Sequence, residues 1–284
     1  MKANKVVGTI GTDHVGPREG EPVIPIVSAT SFKGGVGKTR STIELASALV
    51  RRGRRVLVVD NDPRGSATKR TGVTEPERTL NDVYQWAVNE IGVIVDAIVP
   101  TAWDGVDIVP SEKALKNREA DGGEEADYRL QRAFETDALD YDLVLIDNAP
   151  AGGPLMKNAL VGATHVLVIT DPEPDGLLAA DDAIASVRTL QRRMNPRLQL
   201  LGVIVNRYKA GWREHAAGLD ELTEAHGELV WRPYIPERAA VATAAGAGRP
   251  VQEITGSGAR SYTMCLDDLA SLLLDRTTGL RTDA

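Results

Sequence analysis

Short runs of uninterrupted apolar residues recur along this chain, and between them lie longer stretches whose apolar positions fall every three or four residues. The runs at 23–27, 56–59, 143–146 and, but for its end residues His165 and Thr170, 165–170 are continuously apolar, which marks strands buried on both faces; 98–100, 105–110, 198–205 and 229–234 are mainly apolar and also of strand length. Stretches 41–50, 79–90, 176–194, 212–226, 239–245 and 260–274 carry helical spacing. Segment 112–136 is charged, with apolar positions at Leu115, Tyr128, Leu130, Ala133 and Phe134. Asp121-Gly122-Gly123 divides it into two expected helices joined by a loop. This alternation predicts right-handed βαβ crossovers and an α/β fold, a mainly parallel twisted sheet with helices on both faces. One domain is expected over 23–275. Residues 1–22, with Gly8, Gly11, Gly16, Pro17, Gly20 and Pro22, read as an irregular extension, too short for a helix-turn-helix domain. Residues 276–284 read as a polar, frayed tail.

Composition narrows the picture further. With 284 residues and 42% apolar content, length allows one large domain or two small ones, and the element order selects one. No apolar run approaches the roughly 20 residues that span a bilayer. The first residues include Lys2 and Lys5 but no continuous apolar stretch of the kind a secretory signal needs, which predicts a cytoplasmic protein. Cys265 is the single cysteine, so one chain holds no internal disulfide and no Cys-x-x-Cys metal site; it reads as a small core residue of the last helix. His165, at the start of its run, reads as a rim or satisfied core histidine.

The chemistry concentrates after the first run. Phe32-Lys33-Gly34-Gly35-Val36-Gly37-Lys38-Thr39 connects an expected strand to an expected helix. Glycines let a backbone curl so that several N–H groups face one anion, and the helix adds its positive end. Lys38 is then placed to reach the outer phosphates of a nucleotide and Thr39 to ligate Mg²⁺. Run 56–59 ends in Asp60-Asn61-Asp62-Pro63-Arg64-Gly65-Ser66-Ala67-Thr68, where α/β sheets collect functional groups. Run 143–146 ends in Asp147, a Walker B arrangement in which the carboxylate holds Mg²⁺, commonly through water.

The loop lacks the first glycine of the common eight-residue P-loop, since Phe32 stands there, and gains a second lysine, Lys33. Lys-Gly-Gly-x-Gly-Lys-Thr resembles the deviant Walker A motif of the ParA/MinD family of ATPases, and the likeness covers about residues 23–275. It is nearest to ParA-type DNA partition ATPases without an N-terminal helix-turn-helix domain. The resemblance implies the P-loop NTPase fold, the cofactors ATP and Mg²⁺, and slow ATP hydrolysis. Lys33, Gly34, Gly35, Val36, Gly37, Lys38 and Thr39 would cradle the phosphates, with Lys33 crossing to the nucleotide of a partner subunit. Asp62 would position the attacking water, and Asp60 would support the magnesium shell beside Thr39 and Asp147. Arg64 and Ser66 replace the family's usual Gln and Asn, and Asn148-Ala149 replaces a small residue and proline. Asn206, followed by Arg207, would read the adenine edge, with the loop carrying Pro236 and Arg238 closing over the base. Arg40 stands where a second threonine is usual. Three roles are open to it: a phosphate contact, a cation facing DNA, or simple exposure.

Net charge is −7, which excludes a chain that is basic throughout. Yet residues 187–213 hold Arg188, Arg192, Arg193, Arg197, Arg207, Lys209 and Arg213 and no Asp or Glu. A surface that tracks phosphates needs this composition; a solvated helix face with loop arginines gives it too. By resemblance, the first reading is an ATP-dependent homodimer that binds DNA without sequence preference and drives plasmid or chromosome partition. A centromere-binding, ParB-like partner would stimulate hydrolysis, and the ATP-bound form would sit on the nucleoid. Arg188, Arg192, Arg193, Arg197 and Arg213 are its DNA-binding candidates. The alternative is a MinD-like or cargo-positioning ATPase that places another cellular component. The tail at 275–284 lacks the amphipathic face of a membrane anchor, so no membrane partner is expected. One cysteine excludes iron–sulfur chemistry within the chain, and Tyr262 stands alone where regulatory tyrosine kinases of this superfamily carry a cluster.

Overall fold

The computed structural model describes residues 24–278 apart from Asp137 and Ala151. The extension expected at 1–22 and the tail residues beyond 278 lie outside the described residues. Seven strands form one sheet: β1 (Ile26–Thr30), β2 (Val56–Asn61), β3 (Val99–Pro100), β4 (Val106–Val109), β5 (Leu143–Asn148), β6 (His165–Thr170) and β7 (Gln199–Val205), in the order β3-β4-β2-β5-β1-β6-β7. Every pairing is parallel except the β3–β4 hairpin.

The continuity of the apolar runs has a direct structural cause. Val56 and Val58 of β2 enter the core on one face, and Leu57 and Val59 enter the core on the other. Leu143 and Leu145 alternate with Val144 and Ile146 in the same way. The first face is covered by α1 (Lys38–Arg51), α2 (Ser66–Arg70), α8 (Ala239–Ala247) and α9 (Ser257–Thr278). The second is covered by α3 (Leu80–Trp86), α4 (Arg129–Phe134), α5 (Pro154–Gly162), α6 (Pro174–Arg193) and α7 (Arg213–His226). A strand buried on both faces needs apolar side chains at every position. Helix α3 begins with a capping box in which Thr79 and Asp82 satisfy each other's backbone N–H groups.

The elements differ from expectation in four places. β1 begins three residues later than expected and runs through Ser28 and Thr30, both buried; Asn148 Nδ2 donates to Ser28 Oγ at 2.7 Å, so polar strand residues with partners escape an apolar pattern. Segment 112–136 forms two 3₁₀ turns, Lys113–Ala120 and Glu124–Tyr128, before the short α4, rather than two helices. The run at 229–234 is no strand: Val230 makes a single bridge to Val203, and the buried indole of Trp231 donates to Leu201 O at 3.0 Å instead of continuing the sheet. Helix α9 continues through Thr278, three residues into the expected tail, because Arg276 donates to Leu201 O at 2.8 Å and Thr277 is buried.

β1 lies between β5 and β6, and the chain departs from it first towards β2 and returns through β5 to β6. The carboxyl ends of β1, β2 and β5 therefore border the crevice where open α/β sheets bind ligands.

Candidate active site

The glycine loop joins β1 to α1 across that crevice. Gly35 and Gly37 have φ near +83° and +84°, a region that L side chains avoid. At Gly37 space decides as well: a Cβ would sit 2.3 Å from Asn206 Nδ2. No side chain caps α1 and no acidic residue occupies its first turn, which leaves first-turn N–H groups for an anion. Phe32, in the place of the missing first glycine, lays its ring against Gly152, whose Cβ would be 3.3 Å from it.

Lys38 ends the loop with its Nζ 2.5 Å from Asp147 Oδ1, both side chains buried. Asp147 Oδ2 is buried and has no hydrogen-bond partner among the described residues. Asp60 is the register neighbour of Asp147 across the β2–β5 pair. Its Oδ2 accepts from Thr68 N at 2.8 Å and Thr68 Oγ1 at 2.7 Å. Burial, with the charge of Asp147 second, raises the pKa of Asp60 to about 7. Two neighbouring buried carboxylates, the Asp147 one paired to Lys38 and keeping an oxygen without a partner among the described residues, fit a hard divalent cation. Thr39, half-buried at the start of α1, has a hydroxyl without a protein partner among the described residues and completes that donor set.

Asp62 leads out of β2 and is nearly buried. Its Oδ1 accepts from Arg64 N at 2.9 Å, and its carbonyl accepts from Ser111 Oγ at 2.7 Å. Ser111 N donates to Thr68 Oγ1 at 2.9 Å, which ties this loop to the chain leaving β4. The Arg64 side chain is exposed. Neither Thr68 nor Ser111 was assigned from the sequence; Thr68 at least belongs to the Asp-rich segment.

A second network reaches the site from below. Asn61 Nδ2 donates to Asn148 Oδ1 at 3.0 Å and Leu155 O at 2.9 Å, and Tyr84 OH donates to Asn61 Oδ1 at 3.2 Å. Asn148 Nδ2 reaches Ser28 Oγ and Ala29 O at 2.7 and 2.9 Å. Buried amides thus link β1, β2, β5 and α5 beside the carboxylates of Asp60 and Asp147. This is what Asn148 does in place of a small residue. The repeat of Asp-Asn at two strand ends was the legible signal.

Three other expectations meet different partners. Asn206, assigned to adenine, donates from Nδ2 to Val36 O at 2.7 Å and accepts from Arg207 N at 2.8 Å, so its amide braces the glycine loop. Arg207, at φ +60°, reaches Gly35 O at 3.2 Å and pairs with Glu237 at 3.3 Å. Pro236 bridges to Tyr208, and Arg238 donates to Ser261 Oγ at 3.1 Å and Glu237 O at 2.9 Å, so the loop at 236–238 lies beside Arg207.

Of the three roles open to Arg40, simple exposure is corrected. It is buried, not exposed, with its guanidinium 2.5 Å from Glu44 Oε1, 3.2 Å from Arg249 O and stacked 5.4 Å from the centre of the Trp103 ring. Glu44 also accepts from Val251 N at 2.9 Å. Arg40 thus fastens the start of α1 to the segment before α9.

The cationic stretch divides in two. Arg188, Arg192 and Arg193 lie on the last turns of α6 and Arg197 just after it, at the amino edge of the sheet; Arg207, Lys209 and Arg213 follow β7 at the carboxyl edge. Seven residues of β7 at about 3.3 Å each separate the groups by roughly 20 Å. Arg188, Arg192, Arg193, Arg197 and Arg213 are exposed and make no ion pair among the described residues. Arg207 and Lys209 pair with Glu237. Adjacency in sequence did not make one patch because a strand intervenes.

A family model described as an AAA domain matches residues 24–200. The chain is 33% identical over 248 residues to the chromosome-partitioning ATPase Soj of Thermus thermophilus, covering 86% of this chain and 94% of that one. It is 30% identical over 259 residues to the chromosome partitioning protein ParA of Caulobacter vibrioides, covering 88% and 96%. The chain belongs to the ParA/MinD family of ATPases. A solved structure described as cobyrinic acid a,c-diamide synthase of Mycobacterium smegmatis, with bound ATP analogue and magnesium, superposes at TM-score 0.75 and 26% identity over 90% of this chain and 96% of that one. The sheet and helices are the P-loop NTPase fold of ParA/MinD proteins, and the protein is an ATPase with ATP and Mg²⁺ as its cofactors.

Proposed function

We propose that the protein is a partition ATPase: ATP binding closes two copies face to face, the dimer holds DNA without sequence preference, and a centromere-binding partner triggers hydrolysis and release. The observation that carries this reading is the position of Lys33, on the rim of the loop next to the exposed Gly34 and Gly35, where a second subunit has access to it.

In this reading the first-turn amides of α1 and the N–H groups of the loop bind the phosphates, and Lys38 turns from Asp147 to the outer phosphates. Thr39 and Asp147 would hold Mg²⁺, which would supply screening of the phosphate charge, while Asp60 steadies the Asp147 side. Asp62 orients the attacking water at the γ-phosphate. Lys33 of each subunit stabilises developing charge on the partner's nucleotide, as an arginine finger does in other nucleotide hydrolases. The base lies towards Asn206, Arg207 and the loop of Pro236 and Arg238. Loss of the γ-phosphate removes the Lys33 contact, and the dimer loosens. DNA is held by the amino-edge group Arg188, Arg192, Arg193 and Arg197, with Arg213 a separate contact. The ATP-bound form is nucleoid-associated and the released form cytoplasmic.

The test is a mobility shift of random-sequence DNA. ATP with Mg²⁺ should produce a shift that weakens steeply with salt. A shift independent of nucleotide, or none at low salt, would refute the reading.

A further inference from the structure

Lys33 has a partner within its own chain. Its Nζ lies 2.9 Å from Asp171 Oδ1, with the lysine side chain 24% exposed and the aspartate 5%. Asp171 follows β6 directly and precedes Pro174, the first residue of α6. Its carboxylate is closely seated: a Cβ at position 176 would fall 2.1 Å from Oδ1, so Gly176 leaves the room it occupies. Thr170 Oγ1, donating to Gly176 O at 2.5 Å, fixes the same turn. The Lys33 backbone is held as well, its N–H donating to Ser31 Oγ at 3.3 Å and its carbonyl accepting from that hydroxyl at 3.0 Å.

We propose that Asp171 is a positioning residue that restrains Lys33 within its own subunit, so that the lysine reaches a partner's nucleotide only by giving up this ion pair. The inference rests on the dimer reading above. A lysine ammonium is a point charge on a flexible four-carbon stem, able to swing between anions. Asp171 is nearly buried, so the pair is less screened than one between two surface side chains. Each dimerisation event then opposes two such pairs, one per subunit. Asp171 thereby sets how much ATP-bound protein dimerises before any activator acts.

Wild type, Asp171→Asn, Lys33→Ala and the double variant would be compared in two ways. Without nucleotide, the acylation rate of Lys33 by an N-hydroxysuccinimide ester is followed by mass spectrometry against the exposed Lys113 and Lys116. With a non-hydrolysable ATP analogue and Mg²⁺, the dimer dissociation constant is measured by analytical ultracentrifugation. Lys33 of wild type should acylate several-fold more slowly than the two exposed lysines, and Asp171→Asn should erase most of that difference. Asp171→Asn should also dimerise about a hundredfold more tightly, about tenfold for each of the two ion pairs that a dimer gives up, and Lys33→Ala should abolish that gain. Wild-type Lys33 acylating as fast as Lys113, or an Asp171→Asn dimer no tighter than wild type, would overturn the proposal. Wild type that stays monomeric with the analogue would refute the dimer reading instead. The acylation comparison, which needs no substitution, then still decides whether Asp171 restrains Lys33.

Discussion

Lys38 Nζ and Asp147 Oδ1 lie 2.5 Å apart in the interior, and the second oxygen of the same carboxylate has no partner among the described residues. One ammonium therefore serves the buried charge of Asp147 beside Asp60. Lys38→Ala removes it and leaves two adjacent buried carboxylates uncompensated. The variant should lose ATP binding, measured by calorimetry, and should melt at lower temperature than wild type at neutral pH.

Asp60 and His165 give opposite pH dependences over one window. The folded-state pKa of Asp60 is raised to about 7 from 3.8, so its effect falls as pH rises through that range, by up to ~4 kcal/mol. His165 is buried with Nδ1 on Thr164 Oγ1 at 2.7 Å and Nε2 without a partner among the described residues, so of the rim or satisfied core histidine expected it is a core one with one ring nitrogen satisfied. Burial lowers its pKa to about 4 from 6.5. Its neutral form favours the fold above pH 6.5, and that advantage is lost as pH falls towards 4. In magnesium-free thermal melts, Asp60→Asn should make stability rise between pH 4 and 6.5, and His165→Leu should make it fall with rising pH.

Asp62→Ala should keep ATP binding and the dimer while turnover drops about a hundredfold or more. Steady-state ATPase assays and sedimentation with ATP read the two separately. Normal turnover would remove Asp62 from its water-positioning role.

Arg40→Ala should act on stability and not on the nucleotide. It strands Glu44, whose carboxyl burial already pushes above its ordinary range, and should cost about 3 kcal/mol in denaturant melts. ATP affinity measured well below the melting temperature should change little.

Arg192→Ala combined with Arg193→Ala should weaken binding to random-sequence DNA and lower the magnitude of the salt slope by up to about two. Arg213→Ala, at the other edge of the sheet, tests the second group of cations independently.

Much of this molecule was legible in its sequence, for definite reasons. Strands buried on both faces are apolar at successive positions, so β2, β5 and β6 stood out, and Asp60 and Asp147 were found at their ends. Glycines at positive φ with a lysine after them gave the loop. What stayed hidden depends on partners distant in sequence. Arg40 stayed open among three roles because Glu44, Trp103 and Arg249 meet it only in the fold. Asn206 braces Val36 from 170 residues away. Asp171, between two strong elements, carried no motif, and its meaning comes from Lys33, 138 residues earlier.

The central claim is that Lys33 joins two nucleotide-loaded subunits. The most direct measurement is sedimentation of wild type and Lys33→Ala with a non-hydrolysable ATP analogue and Mg²⁺, each protein first shown to bind the analogue. Wild type should sediment as a dimer and Lys33→Ala as a nucleotide-bound monomer. A Lys33→Ala protein that dimerises as tightly as wild type would contradict the claim.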